Sequence, residues 1–267
     1  MALNVEVLGE GEPLVVLPSF SLDHRAMARA VEPAFSTAEG WTRLYVDLPG
    51  TGSSPAGEPH SDAVLDEVVA TVEEHVGGRG FAVAGWSYGG YLAAGLSRRL
   101  PGQVRGLMMV CAGFRIRPAD RDLTGVLDST PEADWLSGVP VHLHEYLRHA
   151  VGRQTFDVGH RVAAVLEGNG PTDEAYLAAL RSEGFALSDE DAPTDLGAPA
   201  CLVAGRRDRV AGYVDLFRAL GRLSQADYAC IASAGHYLPV EYPYPFAVVA
   251  RAWLRRCHPD SNGEASR

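Results

Sequence analysis

The 267-residue chain contains no lysine; all 23 of its basic residues are arginine. That absence excludes mechanisms that need a lysine amine: an imine with pyridoxal phosphate, a Walker-type phosphate loop, or a Ser-Lys dyad. Positive charge is scarce altogether, because 34 acidic residues leave a net charge of -11 and a pI near 5.2. Nucleic-acid binding depends on a basic face that displaces counterions, so nucleic acid is excluded as a partner. Cysteine is sparse as well. Cys111, Cys201, Cys230 and Cys257 stand far apart, with no C-x-x-C pair and no metal-finger spacing, which predicts reduced core thiols. No run of about 18 apolar residues suggests a membrane span. The first residues, Met1 to Glu6, lack the basic segment and apolar stretch of a secretory signal. A cytoplasmic protein without membrane association is expected.

What is present is an ordinary globular composition, 46% hydrophobic and 21% charged, in a chain long enough to bury a sizeable core. Short apolar runs alternate with longer amphipathic ones. Leu14–Leu17, Leu44–Val46, Phe81–Ala84, Leu107–Cys111, Cys201–Ala204 and Tyr228–Ile231 read as buried strands. Asp62–Val76 carries apolar residues at helical spacing and stops at Gly77-Gly78, and Tyr88–Arg99, Val214–Leu220 and Pro245–Arg256 follow the same pattern. The alternation predicts an α/β fold, a mostly parallel central sheet with helices on both faces. Between Phe114 and Asp195 the strand rhythm gives way to amphipathic stretches at His142–Val151, Phe156–Leu166 and Glu174–Leu180. The expected organisation is therefore a core domain of residues 1–113 and 196–258, a helical lid inserted at 114–195, and a frayed tail at 259–267. The insertion holds 15 acids against 7 arginines, most of the chain's negative excess.

Gly85-Trp86-Ser87-Tyr88-Gly89 lies directly after an apolar strand and directly before an Ala/Leu-rich helix. This is G-x-S-x-G in the context that gives it chemical meaning: a sharp strand-to-helix turn that pushes a serine out of the sheet. The helix N-terminus behind it offers backbone N–H groups to a developing oxyanion. Serine needs a base, and the base needs an orienting carboxylate. Asp208 in Gly205-Arg206-Arg207-Asp208 and His236 in Ala234-Gly235-His236 each follow a strand, where an open α/β sheet places its crevice.

With these motifs, and with Asp47-Leu48-Pro49-Gly50-Thr51-Gly52-Ser53-Ser54 ahead of them, nearly the whole chain resembles the α/β-hydrolase fold superfamily. The resemblance implies Ser87 as nucleophile, Asp208 as orienting acid, His236 as base and a helical lid after the strand ending near Cys111. It places the two oxyanion N–H groups on Phe20 and Tyr88. Where the family usually has His-Gly, this chain reads Leu17-Pro18-Ser19-Phe20, and a Cβ at Ser19 disfavours the positive φ open to glycine. A serine at the elbow argues against the epoxide hydrolases and haloalkane dehalogenases of this fold, which use aspartate there.

Other candidates have plainer readings. Asp47 shapes a turn, and Glu241 starts the last helix. His142, His144, Glu145 and His149 match none of the usual helical ligand spacings, so no metal is expected, and the triad requires no cofactor. Trp86 and Tyr88 flank the nucleophile and Tyr237 follows the base, and all three are candidate acyl-pocket residues. Arg115, Arg117 and Arg121 lie where the sheet hands over to the insertion. Surface ion pairs are expected of all three, with a substrate carboxylate held by Arg115, Arg117 and Arg121 as the alternative. The expected reaction is hydrolysis of a small, largely uncharged ester, thioester or lactone through an acyl-enzyme. Acyl transfer, a lyase-type or C–C cleavage reaction, amide hydrolysis and perhydrolysis use the same triad, and a receptor-like binding protein of this fold can retain it. The expected partner is a small acyl substrate, and no feature assigns an oligomeric state.

Overall fold

A computed structural model describes residues 2–194 and 196–259. Asp195 and residues 260–267, which include most of the expected tail, lie outside the described residues.

The chain runs β1 (Val5–Leu8), β2 (Glu12–Leu17), α1 (His24–Phe35), β3 (Trp41–Val46), α2 (Ser61–Val76), β4 (Phe81–Trp86), α3 (Tyr88–Arg99) and β5 (Val104–Val110). An inserted segment then carries α4 (His144–Ala150), α5 (Phe156–Glu167) and α6 (Glu174–Ser182). The sheet resumes with β6 (Ala200–Gly205), α7 (Val214–Ala219), β7 (Ala226–Ile231), α8 (Leu238–Glu241) and α9 (Pro243–Cys257). Seven strands lie in the order β1-β3-β2-β4-β5-β6-β7, all parallel except β1 against β3. Every strand read from the sequence is present and longer than read, although β5 stops at Val110 and leaves Cys111 (φ 46°) outside it.

The period of two along β2 explains why the sheet needs helices on both faces. Leu14 and Val16 join one apolar cluster with Met27, Val31 and Phe35 of α1 and Phe246 and Trp253 of α9. Val15 and Leu17 join the other with Val64, Leu65 and Val68 of α2, Leu92 of α3 and Leu216 of α7. Both faces of the central strands are thus removed from water, the condition for a parallel sheet.

Three elements escaped the sequence reading: β1, α1 and the short α8. The edge strand β1 is short and half exposed, held by its ladder to β3 rather than by burial, so periodicity cannot reveal it. Helix α1 does bury Ala26, Met27, Ala30, Val31, Ala34 and Phe35 at helical spacing behind an Asp23 N-cap. Its stripe is alanine-rich and interrupted by Pro33, which weakens the signal. The four cysteines are free, three of them buried and Cys230 half-buried.

Candidate active site

Strand β4 ends at Trp86, and Ser87 turns the chain into α3 with φ 55° and ψ -118°. A serine pays steric strain for that conformation, so the surrounding packing must impose it. A Cβ at Gly85 would stand 2.1 Å from the Gly89 carbonyl oxygen, and one at Gly89 would stand 2.2 Å from that of Leu17. The two flanking glycines therefore let the chains cross closely enough to make the elbow. Ser87 is left partly exposed on a cavity of about 600 Å³, which His236, Phe20 and Tyr88 also line.

Asp208 follows β6 and is fully buried. Its Oδ1 accepts the N–H groups of Val210 (2.8 Å) and Ala211 (2.9 Å), and its Oδ2 lies 3.0 Å from His236 Nδ1. The carboxylate is thus fixed by backbone donors and faces one ring nitrogen, leaving the other for the cavity. His236 is itself held on both sides. Its N–H donates to the Ala150 carbonyl at 2.7 Å, and its carbonyl accepts from Trp86 Nε1 at 2.9 Å. Among the described residues no hydrogen bond joins Ser87 Oγ to His236, an arrangement common in unliganded sites, where such contacts tighten as substrate binds.

The N–H groups of Phe20 and Tyr88 have no protein acceptor among the described residues, and both residues border the cavity. Ser19 takes no positive φ; in this loop the positive φ falls at Ser21 (65°). The loop is pinned from the insertion. Asn169 Oδ1 accepts the Asp23 N–H at 2.8 Å, and its Nδ2 donates to the Ser21 carbonyl at 2.8 Å.

Three sequence candidates are placed elsewhere. Trp86 is buried in the core and serves the His236 loop, while Tyr237 packs edge-on against it and bonds Tyr146 through its hydroxyl. Neither lines the cavity directly, although Tyr237 supports Tyr146, which does. Arg115 is exposed and pairs with Asp191 at 2.6 Å, also away from the cavity. Of the arginines at the sheet-to-insertion boundary, Arg121 alone lines the cavity. Arg181 and Phe185 were not foreseen there, since only the folded insertion brings them to Ser87, and Arg209, next to Asp208 after β6, was missed as well.

Glu241 has a role that its place in the sequence did not reveal. It is fully buried in α8 and accepts the N–H groups of Gly152, Arg153 and Gly235 at 2.7–3.0 Å. Burial raises its pKa to about 7 against the opposing pull of those donors. Asp47 shapes its turn as expected, accepting from His24, Asn4 and Ser53. Asp23, His24 and Asp47 come close enough to suggest a cation site, but N–H donors already occupy their carboxylate oxygens. The His142, His144, Glu145 and His149 side chains form no such group among the described residues.

A serine on a strained elbow, a buried Asp-His pair and two free N–H groups on one cavity, set at the carboxyl ends of a parallel sheet, define a hydrolase-type site. The Alpha/beta hydrolase family profile matches residues 14–252, and the chain belongs to that family. Within it, the chain is 28% identical over 253 residues to a pimeloyl-(acyl-carrier protein) methyl ester esterase of Stenotrophomonas maltophilia strain K279a, covering 88% of this chain and 89% of that one. A protein of the same name from Chromobacterium violaceum is 36% identical over 116 residues, 43% of this chain and 42% of its own. An alpha/beta superfamily hydrolase from Oenococcus oeni PSU-1 has the same fold, with a TM-score of 0.87 at 23% identity over 96% of both chains. A thermophilic esterase from Thermogutta terrifontis superposes with a TM-score of 0.71 at 20% identity, covering 96% of this chain and 94% of that one. No helix among the described residues is long and apolar enough to cross a membrane.

Proposed function

We propose that the protein is a serine carboxylic-ester hydrolase. The observation that carries the reading is the buried Asp208–His236 pair, 3.0 Å apart, on the same cavity as the strained Ser87. In this reading His236 takes the Ser87 proton as Oγ attacks the ester carbonyl, and Asp208 steadies the imidazolium that forms. The Phe20 and Tyr88 N–H groups receive the oxyanion. Collapse of the tetrahedral intermediate breaks the bond to the alcohol, which leaves with the proton from His236. Water, deprotonated by His236, then attacks the acyl-enzyme and releases the acid. The esterase names carried by the relatives support the carboxylic ester as the bond cleaved, over the other bonds open to this triad.

The test is covalent labelling with a fluorophosphonate together with turnover of simple chromogenic acyl esters. The protein should take up one phosphonyl group at Ser87 and hydrolyse the esters, and Ser87→Ala should lose both. Labelling without turnover would instead indicate a binding protein, and an ester formed in the presence of an added alcohol would indicate acyl transfer.

A further inference from the structure

The cavity beside Ser87 has a charge pattern opposite to that of the molecule around it. Arg121, Arg181, Arg209 and His149 line it, with no aspartate or glutamate among its lining residues, in a chain whose net charge is -11. Elsewhere arginines find carboxylates: Arg43 pairs with Glu32, Arg98 with Asp189, Arg115 with Asp191 and Arg218 with Asp122. Arg209 on the cavity wall is likewise paired, with Asp128.

Arg121 and Arg181 differ. Among the described residues no carboxylate lies within ion-pair distance of either. Arg121 is half-buried and aimed by backbone carbonyls: Nε donates to Ile116 at 3.1 Å, Nη2 to the same oxygen, and Nη1 to Val210 at 2.7 Å. The Asp208 charge acts on it, but both Asp208 oxygens are taken by His236 and two backbone N–H groups. Arg181, on α6, lies over the Phe20 ring with its guanidinium carbon 4.3 Å from the ring centre. Packing and carbonyls thus hold two guanidinium groups at the cavity without neutralising them, within an insertion rich in acids. A guanidinium so placed matches a carboxylate or phosphate through charge-assisted, often paired hydrogen bonds.

Resting on the ester-hydrolase reading, we propose that the ester taken by this site carries an oxyanion, a carboxylate or phosphate, which docks on Arg121 and Arg181 while its carbonyl faces Ser87. This replaces the uncharged ester expected from the acidic composition. The acidic surround acts diffusely and is screened by salt, whereas two unpaired guanidinium groups, Arg121 half-buried and Arg181 exposed at the cavity, act at contact distance.

The experiment compares p-nitrophenyl esters of matched length whose acyl chains end in a methyl, a carboxylate or a phosphate, at low and high ionic strength. For the wild-type protein, kcat/KM for at least one anionic ester should exceed that of the neutral match by about tenfold or more. The carboxylate and phosphate arms show which oxyanion is preferred. The ratio of anionic to neutral kcat/KM should fall toward one in Arg181→Met, in Arg121→Met and in high salt, with thermal unfolding confirming that each variant is folded. Arg181→Met is the safer variant, because Arg181 makes no backbone hydrogen bond. Hydrolysis of the neutral ester without anionic preference, or a preference untouched by both variants, overturns the oxyanion site and leaves the ester-hydrolase reading standing. If no ester turns over, that reading fails, and the oxyanion site is then read by protection. Glutarate or inorganic phosphate should slow fluorophosphonate labelling of Ser87 in wild type but not in Arg181→Met. Equal labelling rates with and without them overturn the site.

Discussion

Asp208 shows how much one side chain's surroundings decide. Its carboxylate is buried yet fully bonded, with two backbone donors on one oxygen and His236 on the other. A buried carboxylate with that many partners is both stable and correctly aimed. Asp208→Asn keeps the shape and the Oδ1 bonds, but its amide presents N–H to His236 or forces the ring into the wrong tautomer. Ester turnover should fall at least about a hundredfold in kcat while the thermal midpoint changes little. Near-wild-type kcat in a folded Asp208→Asn protein would remove Asp208 from the mechanism. Cys111 sits beside this pair, and burial together with the Asp208 charge pushes its thiol well above the ordinary range, so it is a packing residue and not a rival nucleophile.

At the scale of elements, the short helix α8 acts through Glu241. Three N–H groups from two segments, Gly152 and Arg153 beyond α4 and Gly235 ahead of His236, converge on this one carboxylate. Glu241→Ala orphans all three, each at roughly 1–3 kcal/mol, and should destabilise the protein severely. Glu241→Gln keeps one acceptor oxygen and removes the titration. A carboxyl at about 7 in the fold and near 4.3 in the unfolded chain binds its proton more tightly when folded. Its contribution is therefore fully present below about pH 4.3 and is lost as pH rises through about 7. Urea unfolding at pH 5 and pH 8 should show wild type losing stability relative to Glu241→Gln, by on the order of 3 kcal/mol at most. Parallel pH profiles for the two proteins would show that the carboxyl does not titrate in that window. The sequence reading had Glu241 only as a helix start, since nothing local reveals that distant N–H groups meet there.

Over the whole molecule, the insertion is stitched to the core at the places where the site is built. Ala150 holds the His236 N–H, Asn169 clamps the loop bearing Phe20, Gly170 bonds Asp23, and Pro171 and Asp173 pair with Gly52 and Gly50. The D-x-P-G-x-G turn thereby becomes a docking edge for the insertion. Asn169→Ala removes both bonds to the loop bearing Phe20, the proposed oxyanion donor, and displacements of about 1 Å at a reacting group cost up to a hundredfold in rate. The expected result is a kcat lowered between about tenfold and a hundredfold for a neutral ester, with a much smaller change in KM. A lowered melting temperature with unchanged kcat would mean that Asn169 fastens the insertion without positioning Phe20.

Much of this protein was determined by the chain alone. Burial on both sheet faces demands the apolar runs that mark the strands, and an elbow between strand and helix demands glycines around Ser87, so the fold and the elbow serine are written locally. Asp208 and His236 are legible because strand ends in a parallel sheet converge on one crevice. The pinning of the Phe20 loop, the Glu241 clamp and the arginine-lined cavity are not local in this sense. Their partners lie between 88 and 148 residues apart in Glu241–Arg153 and Asn169–Ser21. Whether Arg115 or Arg181 faces Ser87 depends on how the insertion folds back over the sheet. Periodicity records which face of an element is apolar, but it carries no information about which distant polar groups that packing brings together, and only the tertiary structure decided those.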